Sequence, residues 1–507
     1  MAKPARKVRL TKPGYSSAEF FLEDYPKTLF PLRTNKILAE AGFKKILEFA
    51  HKNAPARTSE VSPESASFLA QKRVSAMKVG WHLRRTFKLD PVAEAFLYDL
   101  VYRNRSLFRK SFSEKRECFG YRFVEGKPLD ATSSYRAFKG ASSEYAGKFK
   151  FGISFDIASY FNSIYHHDLV KWFDERGASE ADVALFGKFL REISSGRSVD
   201  CLPQGLYPSK MIGSDFLKFI DNSNRLSSNY LIRFMDDVAL FSNTREDLWA
   251  DFYIIQDLFG QKGLSVNPSK TILMEEQLDV EKKVDSVRKS LLKKRRRLII
   301  TGYDVEIEET EIVRKLSARE TSSLKRMLSQ PHLEEADAEL VLALMGAHSS
   351  DVLARFGDLL REFPNLAKNM YVFSRNISDK EALSKSVLDH LRKTSIIPEY
   401  QLFWLGMMLE DYMLDTSVAG DLLSALYAHP WATSVTKAKI LEIPEMRFGL
   451  PELREQQLQE GKSDWLAWSA AVGSRSNKKA SRNYALNYFK NASSINNLIA
   501  GIISDLP

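Results

Sequence analysis

Apolar positions early in the chain recur at about one helical turn. In AEFFLEDYPKTLFPLRTNKILAEAGFKKILEFAHK, residues 18–52, the pattern is broken only at Pro26 and Pro31, and residues 66–115 also read as helical. Between Glu117 and Leu129 aromatic and β-branched residues gather around Gly120 and Gly126, which predicts short strands and a turn. In KFKFGISFD the period drops to two. Phe149, Phe151, Ile153 and Phe155 take one face, and Lys150, Gly152, Ser154 and Asp156 take the other. Asp156 therefore closes a strand on its polar face. Ile157, Phe161 and Ile164 return to roughly helical spacing, so a helix is expected directly after the aspartate.

Further on, CLPQGLYPSKMIGSDFLKFIDNSN is a Pro/Gly-rich loop running into a helix with apolar positions at Ile212, Phe216 and Phe219. The segment NYLIRFMDDVALFSN holds two strand-sized apolar pieces around Asp236 and Asp237, which predicts a tight β-hairpin with an acidic tip. Beyond Lys270 the chain turns charge-dense, with a basic run from Lys293 to Arg297. From about residue 308 onward helical patterns dominate, as in DVLARFGDLLREF and LFWLGMMLEDYMLDT, with no fixed-period self-similarity.

Composition sharpens this picture only in part. The 507 residues can bury more than one core, and the net charge of +10 suits polyanionic partners such as nucleic acid or a nucleoside triphosphate. The only cysteines, Cys118 and Cys201, match no multi-cysteine metal pattern and argue against a disulfide scaffold, so a reducing, cytoplasmic setting is expected. No apolar run approaches a membrane span, so no membrane partner is expected.

The chemistry-bearing group is acidic. Asp156 could meet Asp236 and Asp237 on adjacent strands of one sheet, and three carboxylates at one point repel each other unless a cation intervenes. Mg²⁺, or Mn²⁺ in its place, would be held by these oxygens, and a two-ion site activates a 3′ hydroxyl and stabilises leaving pyrophosphate. Taken alone, an aspartate before a helix and an Asp-Asp pair in a turn are ordinary capping and turn residues. Their flanking segments give them another meaning.

FDIASYF, LPQGLYPS, FMDD and GLSVNPSKT stand in the order and approximate spacing of the reverse-transcriptase palm motifs, and residues 117–275 resemble that family. The resemblance implies that Asp156 and Asp236 are the principal metal ligands with Asp237 beside them, and that Phe161 screens the sugar 2′ position, unless it is simply a core phenylalanine. It also implies that Gln204 and Gly205 shape the floor of the nucleotide and primer site. Ser209 falls at its usual helix-start position, although Lys210 stands where the family commonly has proline. Lys270 matches the lysine that protonates or stabilises departing pyrophosphate. In the fingers, Arg116 or Arg122 are candidate triphosphate clamps, with contact to a nucleic-acid backbone or to the protein surface as the alternative for both.

The expected fold is an α+β fingers and ferredoxin-like palm followed by an all-α C-terminal domain that could stack helix pairs. Its parts are 1–115 as the N-terminal helical part of the fingers, 116–275 as the catalytic core, 276–307 as a basic connector or thumb-like segment, and 308–507 as the helical domain. This whole arrangement is similar to bacterial abortive-infection reverse transcriptases. That resemblance implies template-independent, protein-primed DNA synthesis from deoxynucleoside triphosphates, DNA attached covalently to the protein, homo-oligomerisation and antiphage defence. An RNA-templated reverse transcriptase and a catalytically silent nucleic-acid scaffold are the alternatives. Among 19 tyrosines, including Tyr15, Tyr25, Tyr484 and Tyr488 near the ends, none is assigned as the primer.

Overall fold

Strict alternation in residues 149–155 has its counterpart in the middle of a sheet. The computed structural model describes residues 15–52, 67–69, 71–110, 113–194, 201–275, 286–295 and 316–507. Its strands are β1 (Lys72–Met77), β2 (Leu83–Lys88), β3 (Arg116–Cys118), β4 (Phe123–Val124), β5 (Lys127–Pro128), β6 (Phe151–Phe155), β7 (Tyr230–Phe234), β8 (Asp237–Ser242) and β9 (Ile272–Glu275). β1 pairs with β2 and β4 with β5, while the other five form one sheet in the order β3-β7-β8-β6-β9. Only the β3–β7 pairing is parallel.

Helices α1 (Ser17–Asp24), α2 (Arg33–Lys52), α3 (Pro91–Arg103), α4 (Ala131–Lys148), α5 (His166–Glu175), α6 (Glu180–Ile193), α7 (Tyr207–Phe216), α8 (Lys218–Asp221) and α9 (Arg245–Gly260) accompany these strands. Two of them cover the sheet. On one face Phe252 of α9 lies 5.1 Å from Phe155, ring to ring. On the other, Tyr145 of α4 stacks on Tyr230 at 4.5 Å and meets Phe241 at 5.7 Å. A Cβ on Gly152 would stand 3.1 Å from the Phe241 ring, so the glycine in β6 makes room for this aromatic layer. Side-chain caps fix where both helices start: Asp130 accepts from Ser133 N, and Thr244 from Asp247 N.

The chain divides into two compact units. One holds residues 1–26, 50–70 and 93–278 and contains the five-stranded sheet; the other holds 27–49, 71–92 and 279–507. In the second unit, helices from Ala318–Leu328 to Ser494–Ser504 pack mainly on their second neighbours, as Ala367–Ser374 does on Glu399–Tyr412 and Glu399–Tyr412 on Ser434–Leu441. Two rows of stacked helices result, sharing a core that includes Phe356, Met370, Leu405 and Leu422. Stacking of this kind needs only nearest-neighbour apolar faces, which explains why it exists without a sequence period.

Two expectations are corrected. Residues 66–115 are not uniformly helical, because 72–88 form the β1–β2 hairpin, reversed at Gly80 and Trp81 with φ of 67° and 64°. Each strand is six residues long, and a helical window spanning both blurs two short alternations. No α-helix directly follows Asp156 either. A single 3₁₀ turn, Tyr160–Asn162, comes first and α5 begins only at His166. The connector expected at 276–307 lies outside the described residues except for the helix Ser286–Arg295, and so do Arg296 and Arg297 of the basic run. Among the described residues no helix is long and apolar enough to cross a membrane.

Candidate active site

β6 and β8 run antiparallel with Phe155 opposite Val238 and Ser154 opposite Ala239. Continued by one residue, this register sets Asp156 across from Asp237, and period two puts both on the face that α4 covers. β7 and β8 join through a two-residue turn at Met235 and Asp236, where Met235 takes the left-handed φ of 57°. Such a turn is tight enough to bring Asp236 beside Asp237 at the end of β8. Asp156 and Asp236 are each 5% exposed.

Packing below the turn is aromatic on one face and ionic on the other. Phe234 sits among Tyr121, Tyr135 and Phe138, with ring centroids 5.5, 5.2 and 6.3 Å away. From the opposite face of β7, Arg233 makes a two-pronged bond to Asp221 at 2.8 and 2.7 Å and donates to the Met235 carbonyl at 3.3 Å. Both charged side chains of this pair are fully buried. Burial opposes the Arg233 charge, but the Asp221 carboxylate more than reverses this and holds the guanidinium above its ordinary value.

The fourth motif closes on the first. Ala158 N donates to Ser265 O and Asn267 N to Asp156 O, each at 2.8 Å, and an isolated bridge joins Ile157 to Val266. Gly263 turns the chain into this segment with φ of 67°, and any Cβ there would strike Tyr165. Asn267 caps the 3₁₀ turn Pro268–Lys270, and Lys270 Nζ reaches Asp156 Oδ2 at 2.6 Å. Its hydrogen bond to Asp156 raises Lys270, with further help from Asp156, Asp237 and Asp236 against the effect of burial. Burial raises the Asp237 carboxyl above its ordinary value; Asp156 adds to this, while Lys139 and Lys270 oppose it.

Residues 120–296, about a third of the 507-residue chain, match the family described as reverse transcriptase (RNA-dependent DNA polymerase). The chain carries a reverse-transcriptase-like domain. Among solved structures it is similar to apo telomerase from Candida tropicalis at 12% identity and a TM-score of 0.34, covering 77% of this chain and 74% of that one. It is also similar to telomerase from Candida albicans with a TWJ fragment of telomeric RNA, at 12% identity and a TM-score of 0.28, covering 76% and 65%. Both likenesses are remote. No curated protein matches the chain.

Within the reverse-transcriptase-like domain the other expected residues separate into two groups. Phe161 is 3% exposed, its ring 5.5 Å from Tyr160, and its carbonyl accepts from Leu202 N at 2.8 Å, which ties the 3₁₀ turn to the LPQG loop. Gly205 takes φ of 91°, a conformation that only glycine adopts freely, and it admits the chain to α7. Gln204 stands just before it, and Ser209 and Lys210 are buried in the first turn of α7. Arg116 and Arg122 form the second group. Arg116 donates to the carbonyls of Lys115, Leu226 and Ser228, and Arg122 donates to that of Cys118. Both guanidiniums are engaged with carbonyls of the protein itself.

Sequence reasoning passed over Lys139 and Arg233. Lys139 sits on a helix whose pattern does not say which sheet face it covers. Arg233 did leave a signal, since a charged residue inside LIRF, a strand apolar on both faces, requires a buried carboxylate.

Among the described residues no group of three or more His, Cys, Asp or Glu side chains stands ready to hold a metal ion. The donor set nevertheless fits a hard cation. Asp156 Oδ1 is buried without a hydrogen-bond partner, and Asp156 and Asp237 repel each other across the register.

Proposed function

We propose that this chain is a reverse-transcriptase-type nucleotidyltransferase that extends DNA from deoxynucleoside triphosphates by copying an RNA template. The observation that carries this reading is the meeting of Asp156 and Asp237 at the ends of β6 and β8, with Lys270 against Asp156, inside the matched region. In such a reaction the 3′ hydroxyl gives up its proton to solvent, its oxygen bonds to the α-phosphorus, the bond from that phosphorus to the bridging oxygen breaks, and pyrophosphate leaves. Asp156, Asp236 and Asp237 would hold Mg²⁺ or Mn²⁺, which when bound neutralises the carboxylates and the phosphate charge. Lys270 carries its proton on a side chain of which the greater part is exposed, so Nζ can swing from Asp156 to the departing pyrophosphate and protonate it. Phe161, fixed through Leu202, would close the site against a 2′ hydroxyl, and Gly205 would shape the floor beside it.

The match to RNA-dependent polymerases favours templated synthesis. The stacked helical unit supports a second reading, drawn from the abortive-infection resemblance, in which a tyrosine of the protein primes synthesis without a template in antiphage defence. One experiment separates them. Nuclease-treated protein is given labelled deoxynucleotides with Mg²⁺, with and without an RNA template bearing a DNA primer, and the products are run under denaturing conditions. Product that requires the RNA and separates from the protein supports the first reading. Product formed without nucleic acid and covalently retained supports the second, and no incorporation under any condition leaves only a nucleic-acid-binding scaffold.

A further inference from the structure

The β1–β2 hairpin belongs to the helical unit, and residues 71–89 contain no aspartate or glutamate while carrying Lys72, Arg73, Lys78, Arg84, Arg85 and Lys88. Strand register sorts them. Val74, Ala76, Thr86 and Lys88 are buried on one face, and Arg73 and Arg85 are exposed on the other, where Arg73 lies 5.9 Å over the Phe87 ring. At the tip Val79, Trp81 and Leu83 are 66%, 51% and 59% exposed. Neither burial nor turn chemistry accounts for the tryptophan. Gly80 and Trp81 both have positive φ, and a turn of this kind selects glycine or asparagine, so a bulky side chain there carries a backbone cost.

We propose that this hairpin is a binding platform for single-stranded nucleic acid, with Arg73 and Arg85 on phosphates and the Trp81 ring stacked on a base. The exposed charges along the hairpin, Arg73, Lys78 and Arg85, are all positive and complement a polyanion, and a flat aromatic ring at an exposed tip matches the faces of unpaired bases, which a duplex hides. A six-residue strand is about 20 Å long, enough to follow several nucleotides. Nothing in this reading depends on catalysis by the acidic site.

Binding is measured with the full chain in EDTA, without nucleotides, by anisotropy of a labelled oligothymidylate and a labelled oligouridylate of about 12 nucleotides, a length within single-strand site sizes. Two lost phosphate contacts reduce the log–log salt slope by about 1.4, and the doubly substituted Arg73→Gln/Arg85→Gln chain should bind at least about tenfold more weakly in low salt. Trp81→Ala should cost about 5- to 100-fold, and Trp81→Phe should recover most of it. These positions are exposed, and unchanged circular dichroism and thermal midpoints confirm that the variants fold. An affinity and salt slope untouched by all three variants overturns the proposal. Equal binding to a duplex with no effect of Trp81→Ala does so as well, since that describes a ribbon in a groove. A hairpin that matters only for anionic lipid vesicles, with oligonucleotide binding intact, also rejects it. An Asp236→Asn chain should keep the hairpin-dependent binding, and wild-type protein that binds through the hairpin yet never incorporates nucleotide would keep this inference and remove only the polymerase reading.

Discussion

Replacing Asp221 by asparagine strips the counter-charge from Arg233 without changing the shape of the site. Both partners are fully buried, and the guanidinium would keep its charge because arginine is not deprotonated in proteins. Removing one member of such a pair costs about 3–5 kcal/mol, whereas replacing both by apolar residues of similar volume is neutral or stabilising by about 1–4 kcal/mol. Asp221→Asn should therefore strongly destabilise the sheet-bearing unit, and Arg233→Met combined with Asp221→Leu should restore it. Catalysis should part company with stability in the double variant. Arg233 also donates to the Met235 carbonyl, and loss of that bond frees the turn that presents Asp236. A charged hydrogen bond of about 1.5–3 kcal/mol translates into roughly 10- to 100-fold less nucleotide incorporation. The assay is denaturant unfolding combined with hydrogen exchange of peptides spanning β7 and β8, because a two-unit chain need not unfold in one step. A cost below about 1 kcal/mol for Asp221→Asn, or losses that simply add in the double variant, would refute the reasoning.

Other outcomes follow from the same geometry. Asp156→Asn, Asp236→Asn and Asp237→Asn should each abolish incorporation while circular dichroism shows an intact fold; wild-type activity in all three would remove the carboxylates from the site. Lys270→Met should fold normally and lower the rate on the order of 10²-fold, the range for loss of a general acid, and an unchanged rate would leave Lys270 as a mere counter-charge to Asp156. Phe161→Ala should raise the ratio of ribonucleotide to deoxynucleotide incorporation, but at about 3–5 kcal/mol for emptying a buried aromatic site, so Phe161→Val is the better-folded test of the gate. In the helical unit, burial pushes the Glu399 carboxyl from 4.5 up to about 7, with only a weak opposing pull from Lys72. The native state therefore binds this proton more tightly than the unfolded chain. Its contribution is fully present below pH about 4.5 and is lost as the pH rises through about 7, an effect of roughly 3 kcal/mol. Glu399→Gln should remove that pH dependence from the thermal midpoint, and a wild-type slope in the variant would assign it elsewhere.

Period and turn chemistry are local properties, and where they decide a feature the sequence sufficed. Alternation through Phe155 placed Asp156 at a strand end, the two apolar pieces around Asp236 and Asp237 gave the hairpin, and the run after 308 gave helices. Motif order tied these pieces to one family of palm domains, and the match over residues 120–296 agrees with it. Pairing is different, because it depends on contacts between residues far apart in the chain. The register that sets Asp156 across from Asp237 spans some 80 residues, and the bond from Lys270 to Asp156 spans 114. Nor could spacing show what each cation touches: Arg116 and Arg122 donate to protein carbonyls, while Lys139, from a helix laid across the sheet, opposes the upward shift of the Asp237 carboxyl. The β1–β2 hairpin was hidden for the same reason. Six-residue strands carry too little alternation to outweigh a helical window, and only their pairing with each other, which satisfies backbone groups no helix is there to satisfy, makes them strands.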